Sequence, residues 1–184
     1  MDVLDKAATV PDAELVVAYK PLGLLPYFRE AVPDAKRFLP TVGNTFAEEL
    51  SNCFDELLEA GTAIVAVGTD HPTMPARTLE LAFDAMASGE VEVVLGPSSE
   101  GGIYLVGMTR THPEIFDGAF DLESVIERVA KAGAGWYLLP ISRGINSPED
   151  LAFLKADVLG EPANAISTPC TRRQVMSLTG AGVI

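Results

Sequence analysis

The stretch Ala63-Ile-Val-Ala-Val-Gly-Thr-Asp-His-Pro-Thr-Met-Pro75 decides the fold. Small and β-branched apolar residues that stop at Gly68 and then offer a carboxylate at Asp70 read as a buried strand carrying an acid to its carboxyl end. Further on, Val93-Val-Leu-Gly-Pro-Ser-Ser-Glu-Gly-Gly-Ile-Tyr-Leu-Val-Gly107 reads as a strand, a Gly-Gly loop and a third strand. Open α/β sheets build ligand sites where strands end in this way.

Outward from these motifs, strand-like and helix-like stretches alternate. Glu14–Tyr19, Ala63–Gly68, Val91–Gly96, Gly102–Gly107 and Trp136–Pro140 are short apolar or aromatic runs bounded by Gly or Pro, which suits buried strands. Asn44 is placed to cap a helix that carries Phe46, Leu50, Phe54, Leu57 and Leu58 on one face and ends at Gly61. Leu79, Ala82, Phe83 and Met86 mark a second helix before Gly89, and Leu122, Val125, Ile126 and Val129 a third. Ser147-Pro148-Glu149-Asp150 opens a fourth: a hydroxyl cap, proline at the first position, and acids at the positive helix end. The alternation predicts a mostly parallel sheet between two helical layers. Residues 1–160 form one expected domain, and 161–184 a weakly periodic tail that carries a short helix or is partly disordered.

Composition excludes several classes. The chain has 184 residues and 48% hydrophobic content, enough for one well-buried domain. Twenty-six acidic against 13 basic residues give a net charge of −13, which leaves no basic stripe for a nucleic-acid backbone and repels anionic membranes. A divalent cation would reconcile so acidic a protein with a phosphorylated ligand. No apolar run approaches the ~18 residues of a membrane span, and the first residues mix charges unlike a secretory signal, so the cytoplasm is the expected location. Cys53 falls in register with the apolar helix face and reads as a buried free thiol; Cys170 lies far away in sequence.

The candidate chemistry lies at the strand ends. Asp70 has two readings of equal standing: a ligand for a hard cation, or the cap of the turn Asp70-His-Pro72 through backbone N–H groups. His71 is a minor candidate for a second ligand. The Gly101-Gly102 pair allows close backbone approach or positive φ, beside the hydroxyls of Ser98 and Ser99 and the carboxylate of Glu100. Locally it reads as a turn, since no phosphate-cradling glycine signature occurs. Asn146 sits where its side chain could face the same cleft as Asp70, although helix-start chemistry explains it locally.

In order and spacing, Gly-Thr-Asp-His-Pro-Thr-Met-Pro, the Val93–Met108 segment and Ile-Asn-Ser-Pro-Glu-Asp-Leu resemble the bacterial GT-A-like glycosyltransferases found beside radical-SAM, selenodomain and arsenosugar genes. Those in turn are similar to guanylyltransferases of cofactor synthesis. The resemblance spans Glu14 to Leu154 and implies a three-layer α/β/α, Rossmann-like nucleotide-diphospho-sugar transferase fold. It implies that Asp70 and Asn146 hold Mg or Mn, that Ser99, Gly101 and Gly102 line the ligand, and that Glu100 serves as base for an acceptor hydroxyl. The implied function is glycosyl transfer from a nucleotide-diphospho-sugar with divalent-metal assistance; nucleotidyl transfer is the alternative.

Against that pattern the chain departs at Glu100, where the family more often has Asp, and in three further places. It opens inside a helix that in the family follows a nucleotide-binding strand and loop, so an N-terminally truncated form is expected. Gly43-Asn-Thr-Phe-Ala-Glu-Glu-Leu50 lacks the family's Arg, and Gly118-Ala-Phe-Asp-Leu-Glu123 lacks its aromatic and hydroxyl pair. A non-catalytic binding subunit, working as a homo-oligomer or with a partner over the sheet, is therefore the second hypothesis.

Overall fold

A computed structural model of the chain describes residues 2–59, 62–162 and 167–180. In chain order the elements are α1 (Asp2–Ala8), β1 (Val16–Tyr19), α2 (Leu25–Ala31), β2 (Arg37–Pro40), α3 (Phe46–Leu57), β3 (Ile64–Val67) and α4 (Arg77–Ala87). Then come β4 (Val93–Pro97), β5 (Ile103–Met108), α5 (Leu122–Ala132), β6 (Trp136–Leu138), α6 (Pro148–Gly160) and α7 (Pro169–Gly180).

The sheet differs from the expected mostly parallel one. Strands β3, β5, β4 and β6 form one sheet in that order, while β1 and β2 pair separately. Strand β5 runs antiparallel to both neighbours, whereas β4–β6 and β1–β2 are parallel. The reason is local: the short turn at Ser98–Gly102 leaves no room for a crossover helix, so β5 must return beside β4. Strand β2 was not foreseen; Arg37-Phe-Leu-Pro40 is too short and too mixed to show a period.

Side chains leave the central strands alternately. Val93, Leu95, Val106 and Met108 pack on one face with Phe54 of α3 and Val125 and Val129 of α5. Val94 and Leu105 pack on the other with Val3 of α1, Leu79, Ala82 and Met86 of α4, and Leu139. This two-sided burial makes β4 buried at every position and explains its unbroken apolar reading. The edge strands are less enclosed than expected: β3 is half-buried throughout, and Trp136, Tyr137 and Leu138 of β6 are exposed. Each has one strand partner among the described residues.

One irregularity matters for function. Gly96 pairs with Leu105 but Pro97 with Ile103, so Tyr104 is an extra residue in β5. This β-bulge puts Tyr104 on the same face as Leu105.

Helix starts obey side-chain chemistry. Thr45, one residue after the expected Asn44, caps α3 by accepting from the Glu48 N–H, while the Glu48 carboxylate accepts from Asn44 N–H. Helix α3 stops at Leu57, capped at Leu58; the expected end at Gly61 lies outside the described residues. Phe46 is 64% exposed rather than on the buried face, which Ala47, Leu50 and Phe54 provide. Ser147 and Asp150 form a reciprocal capping box at α6, with Pro148 at the first position as predicted. Both cysteines are free and partly buried. Among the described residues no helix is long and apolar enough to cross a membrane.

Helix α7 is tied to the other terminus. Pro169 has no N–H to satisfy, and the next two, of Cys170 and Thr171, donate to the buried Asp2 carboxylate at 2.9 and 2.6 Å. Burial pushes the Asp2 carboxyl up, but hydrogen bonds from Thr171 and Cys170 outweigh it and hold it below the usual aspartate range. A depressed carboxyl stabilises the fold above its unfolded pKa and loses that contribution as pH falls through the folded value. Asp2→Ala is therefore expected to cost about 1–2 kcal/mol near pH 7 in urea unfolding. The difference from wild type should shrink at about pH 3, below the ordinary aspartate value.

Candidate functional site

The residues singled out in the sequence converge at one end of the sheet. Three loops meet there: Gly68–Pro75 after β3, Ser98–Gly102 between β4 and β5, and Ile141–Asn146 after β6. Backbone hydrogen bonds stitch them together. Ile145 N–H donates to the Asp70 carbonyl at 3.0 Å, and Ser99 N–H to the Ser142 carbonyl at 2.9 Å. Ser142 N–H donates in turn to the Pro97 carbonyl at 3.1 Å.

Asp70 is brought to this junction with its carboxylate uncommitted. Its side chain is 45% exposed, and the nearest polar contact is His71 Nε2, 3.7 Å from Oδ2. No backbone N–H of the described residues donates to it, so it is not the turn cap that the local sequence equally allowed. The first carboxylate oxygen lies over Gly68, where an added Cβ would come within 2.5 Å of Oδ1.

His71, a minor candidate in the sequence, is central here. The ring is 2% exposed and stacks on Tyr104 with centroids 4.8 Å apart. Burial pushes the imidazole below its ordinary range, against the pull of the Asp70 and Glu100 carboxylates, and keeps it neutral at pH 7. Asn146 approaches from the α6 side. Gly144 separates the two side chains so closely that a Cβ there would lie 2.7 Å from Asn146 Nδ2 and 3.0 Å from His71 Nε2. Asn146 also joins the helix start, its N–H donating to Asp150 Oδ2 at 3.0 Å.

Glu100 faces the same junction from the middle loop. Hydroxyls of Ser98 and Ser99 both donate to its carboxylate. Those bonds hold its pKa below the usual glutamate range, so it is an ionised hydrogen-bond acceptor at neutral pH. Gly101 adopts φ +84°, the conformation for which glycine is suited, and its carbonyl accepts from Leu122 N–H at 3.1 Å. Gly102 has no such constraint; a Cβ there would meet Ser98 Cβ at 3.9 Å.

Tyr104 is the residue sequence reasoning missed. The bulge turns its ring under His71, and its hydroxyl donates to the Pro140 carbonyl at 3.0 Å, anchoring the third loop. Burial pushes the phenol up to about 12, so it stays a donor at any ordinary pH. An aromatic hydroxyl inside the otherwise apolar Ile103–Met108 was the available signal.

For cation binding, Asp70 supplies a hard carboxylate oxygen, and the Asn146 amide lies across Gly144 from His71. That set suits a divalent cation of the Mg or Mn type, which takes one or two carboxylates and completes its shell with water and ligand oxygens. The only cluster of three His, Cys, Asp or Glu donors within 4.8 Å among the described residues lies elsewhere, at Asp2, Asp5 and Cys170. There Asp2 is committed to α7. A depression of about 470 Å³ along Gly101, Asp121, Leu122, Glu123, Ile126 and Glu127 adjoins the middle loop but does not include Asp70.

Residues 3–120 match the model of DUF2064, described as an uncharacterized protein conserved in bacteria. The chain belongs to the DUF2064 family. No curated protein matches this DUF2064 chain in sequence. Among solved structures it is similar to a Desulfovibrio desulfuricans G20 protein described as a "putative nucleotide-diphospho-sugar transferase", at 20% identity and TM-score 0.81, over 97% of this chain and 79% of that one. It is also similar to a 4-diphosphocytidyl-2C-methyl-D-erythritol synthase, at 15% identity and TM-score 0.60, over 83% and 87% of the two chains. A CMP:2-keto-3-deoxy-manno-octonic acid synthetase complexed with CTP matches at 14% identity and TM-score 0.58, over 88% and 87%. These superpositions show a shared fold, that of nucleotide-diphospho-sugar transferases and nucleotidyltransferases, built here on a mixed sheet.

Two glycine substitutions separate close approach from open space. Gly144→Ala is expected to cost about 1–3 kcal/mol in chemical unfolding, because Asn146 and His71 must both move. Gly102→Ala should stay within about 0.5 kcal/mol of wild type. Equal effects would contradict the packing described.

Proposed function

We propose that the chain is a divalent-cation-dependent transferase that uses a nucleotide-diphospho-sugar donor. The observation that carries this reading is the convergence of an uncommitted Asp70 carboxylate, Asn146 and the Ser98–Gly102 loop at one strand-end junction. In this reading Asp70 and Asn146 would hold Mg or Mn, which would supply positive charge to the leaving diphosphate. Ser99, Gly101 and Gly102 line the ligand, with Gly102 leaving space for close approach. Glu100, ionised and oriented by two serine hydroxyls, accepts the O–H of the acceptor and draws its proton as the new bond forms. The finer kinship with the radical-SAM- and arsenosugar-associated glycosyltransferases belongs to this proposal and rests on the Gly68–Pro75, Val93–Met108 and Ile145–Leu151 motifs. So do a cytoplasmic location and association with a further copy.

Nucleotidyl transfer is the second reading, favoured by the likeness to a synthase and a synthetase, the latter complexed with CTP. The higher TM-score of the sugar-transferase match supports the first.

Thermal unfolding with manganese and a panel of nucleoside triphosphates, diphosphates and nucleotide sugars tests both. A ligand at a hundred times its dissociation constant should add roughly 2.7 kcal/mol, a rise of several degrees for a domain of this size. The expected result is a manganese-dependent rise with a nucleotide sugar that Asp70→Asn abolishes. A rise confined to a triphosphate would select nucleotidyl transfer, and no rise with any ligand would leave the non-catalytic alternative.

A further inference from the structure

His71 presents two ring nitrogens in unlike settings. Nδ1 is sealed from solvent and has no hydrogen-bond partner. Nε2 is turned to the junction, 3.7 Å from Asp70 Oδ2 and against the open face of Gly144. A neutral imidazole carries its single proton on one nitrogen and a lone pair on the other. A proton on Nδ1 would strand a buried donor and point the Nε2 lone pair at a carboxylate. A proton on Nε2 turns the N–H dipole to the Asp70 charge and leaves at Nδ1 only an unpaired lone pair in place of a stranded donor.

We infer that His71 carries its proton on Nε2 and acts as a positioning residue that holds the Asp70 carboxylate, not as a cation ligand. Direct ligation would need the Nε2 lone pair and would force the proton onto Nδ1. Metal-bound histidines donate that second N–H to a carboxylate or carbonyl, which the Nδ1 pocket does not provide. The stack on Tyr104 fixes the ring plane, and Tyr104 is itself anchored through its hydroxyl to Pro140. Were a cation held at Asp70, the Nε2–H dipole, 3.7 Å from Oδ2, would be the group facing the carboxylate and opposing its rotation away. This consequence rests on the reading of Asp70 proposed above; the tautomer does not.

Imidazole nitrogen NMR on the ¹⁵N-labelled full chain at neutral pH reads the tautomer without any ligand. The chain has two histidines, so the His71→Phe spectrum assigns the signals by subtraction. Proton-bearing Nε2 with a lone-pair Nδ1 is expected, and the reverse overturns the inference. Manganese titration followed by electron paramagnetic resonance reads the role. His71→Phe, which keeps the stack but loses the donor, should weaken Mn²⁺ about 10–100-fold, the usual loss for an outer-shell partner. His71→Gln, whose amide reaches the place of Nε2, should recover most of that loss, while His71→Asn, which reaches only the place of Nδ1, should not. A directly coordinated imidazole nitrogen in the wild-type Mn²⁺ spectrum, or equal affinity in His71→Phe, would overturn the positioning role. Wild-type protein that binds no Mn²⁺ while showing the Nε2 proton would sink the Asp70 reading and leave the tautomer standing.

Discussion

Tyr104 ties together every segment of the site. Its carbonyl accepts the Gly68 N–H at 2.8 Å, closing the pairing of β3 and β5 at the point where the chain turns toward Asp70. Its ring supports His71, and its hydroxyl holds Pro140 ahead of the loop that carries Asn146. The two side-chain contacts depend on the bulge against β4 that turns Tyr104 onto the face of Leu105. Without that extra residue the ring would point to the opposite layer, and the three loops would lack a common anchor.

The electrostatics follow from the same convergence. Asp70, Glu100 and Asp150 approach one another at the loop junction of a chain whose net charge is −13. Glu100 and Asp150 are stabilised by local hydroxyl and N–H donors, which hold both below their ordinary ranges. Asp70 accepts no hydrogen bond from the described residues, His71 Nε2 standing 3.7 Å from Oδ2, and a carboxylate so placed is where a cation gains most. An anionic ligand would enter this field only with its charge offset by that cation.

Much of the architecture was legible because helix starts and buried strands leave strong local marks. Ser147-Pro-Glu-Asp150 specified its helix outright, and Val93-Val-Leu marked a strand covered on both faces. Strand direction was not legible, because parallel and antiparallel central strands bury the same residues. The length of the Ser98–Gly102 turn was the one clue that β5 must double back. Among the candidates, Asp70 and Glu100 stood out as carboxylates at strand ends, whereas Gly101-Gly102 read locally as a turn and Asn146 as helix-start chemistry, and only the family resemblance grouped them. His71 and Tyr104 could not be ranked, since their importance arises from a stack between residues distant in sequence. The same holds for the Asp2 cap on α7, which joins the two ends of the described chain.

Amide chemical-shift mapping tests most directly whether this junction is one ligand site. Proton–nitrogen spectra would be recorded while Mg²⁺ and a nucleoside diphosphate are added together to the full chain. The account predicts saturable shifts concentrated at Gly68 to His71, Ser99 to Gly102 and Ile145 to Asn146, all following a single binding curve. Shifts confined to the depression at Leu122 to Glu127, or none at saturating ligand, would contradict it.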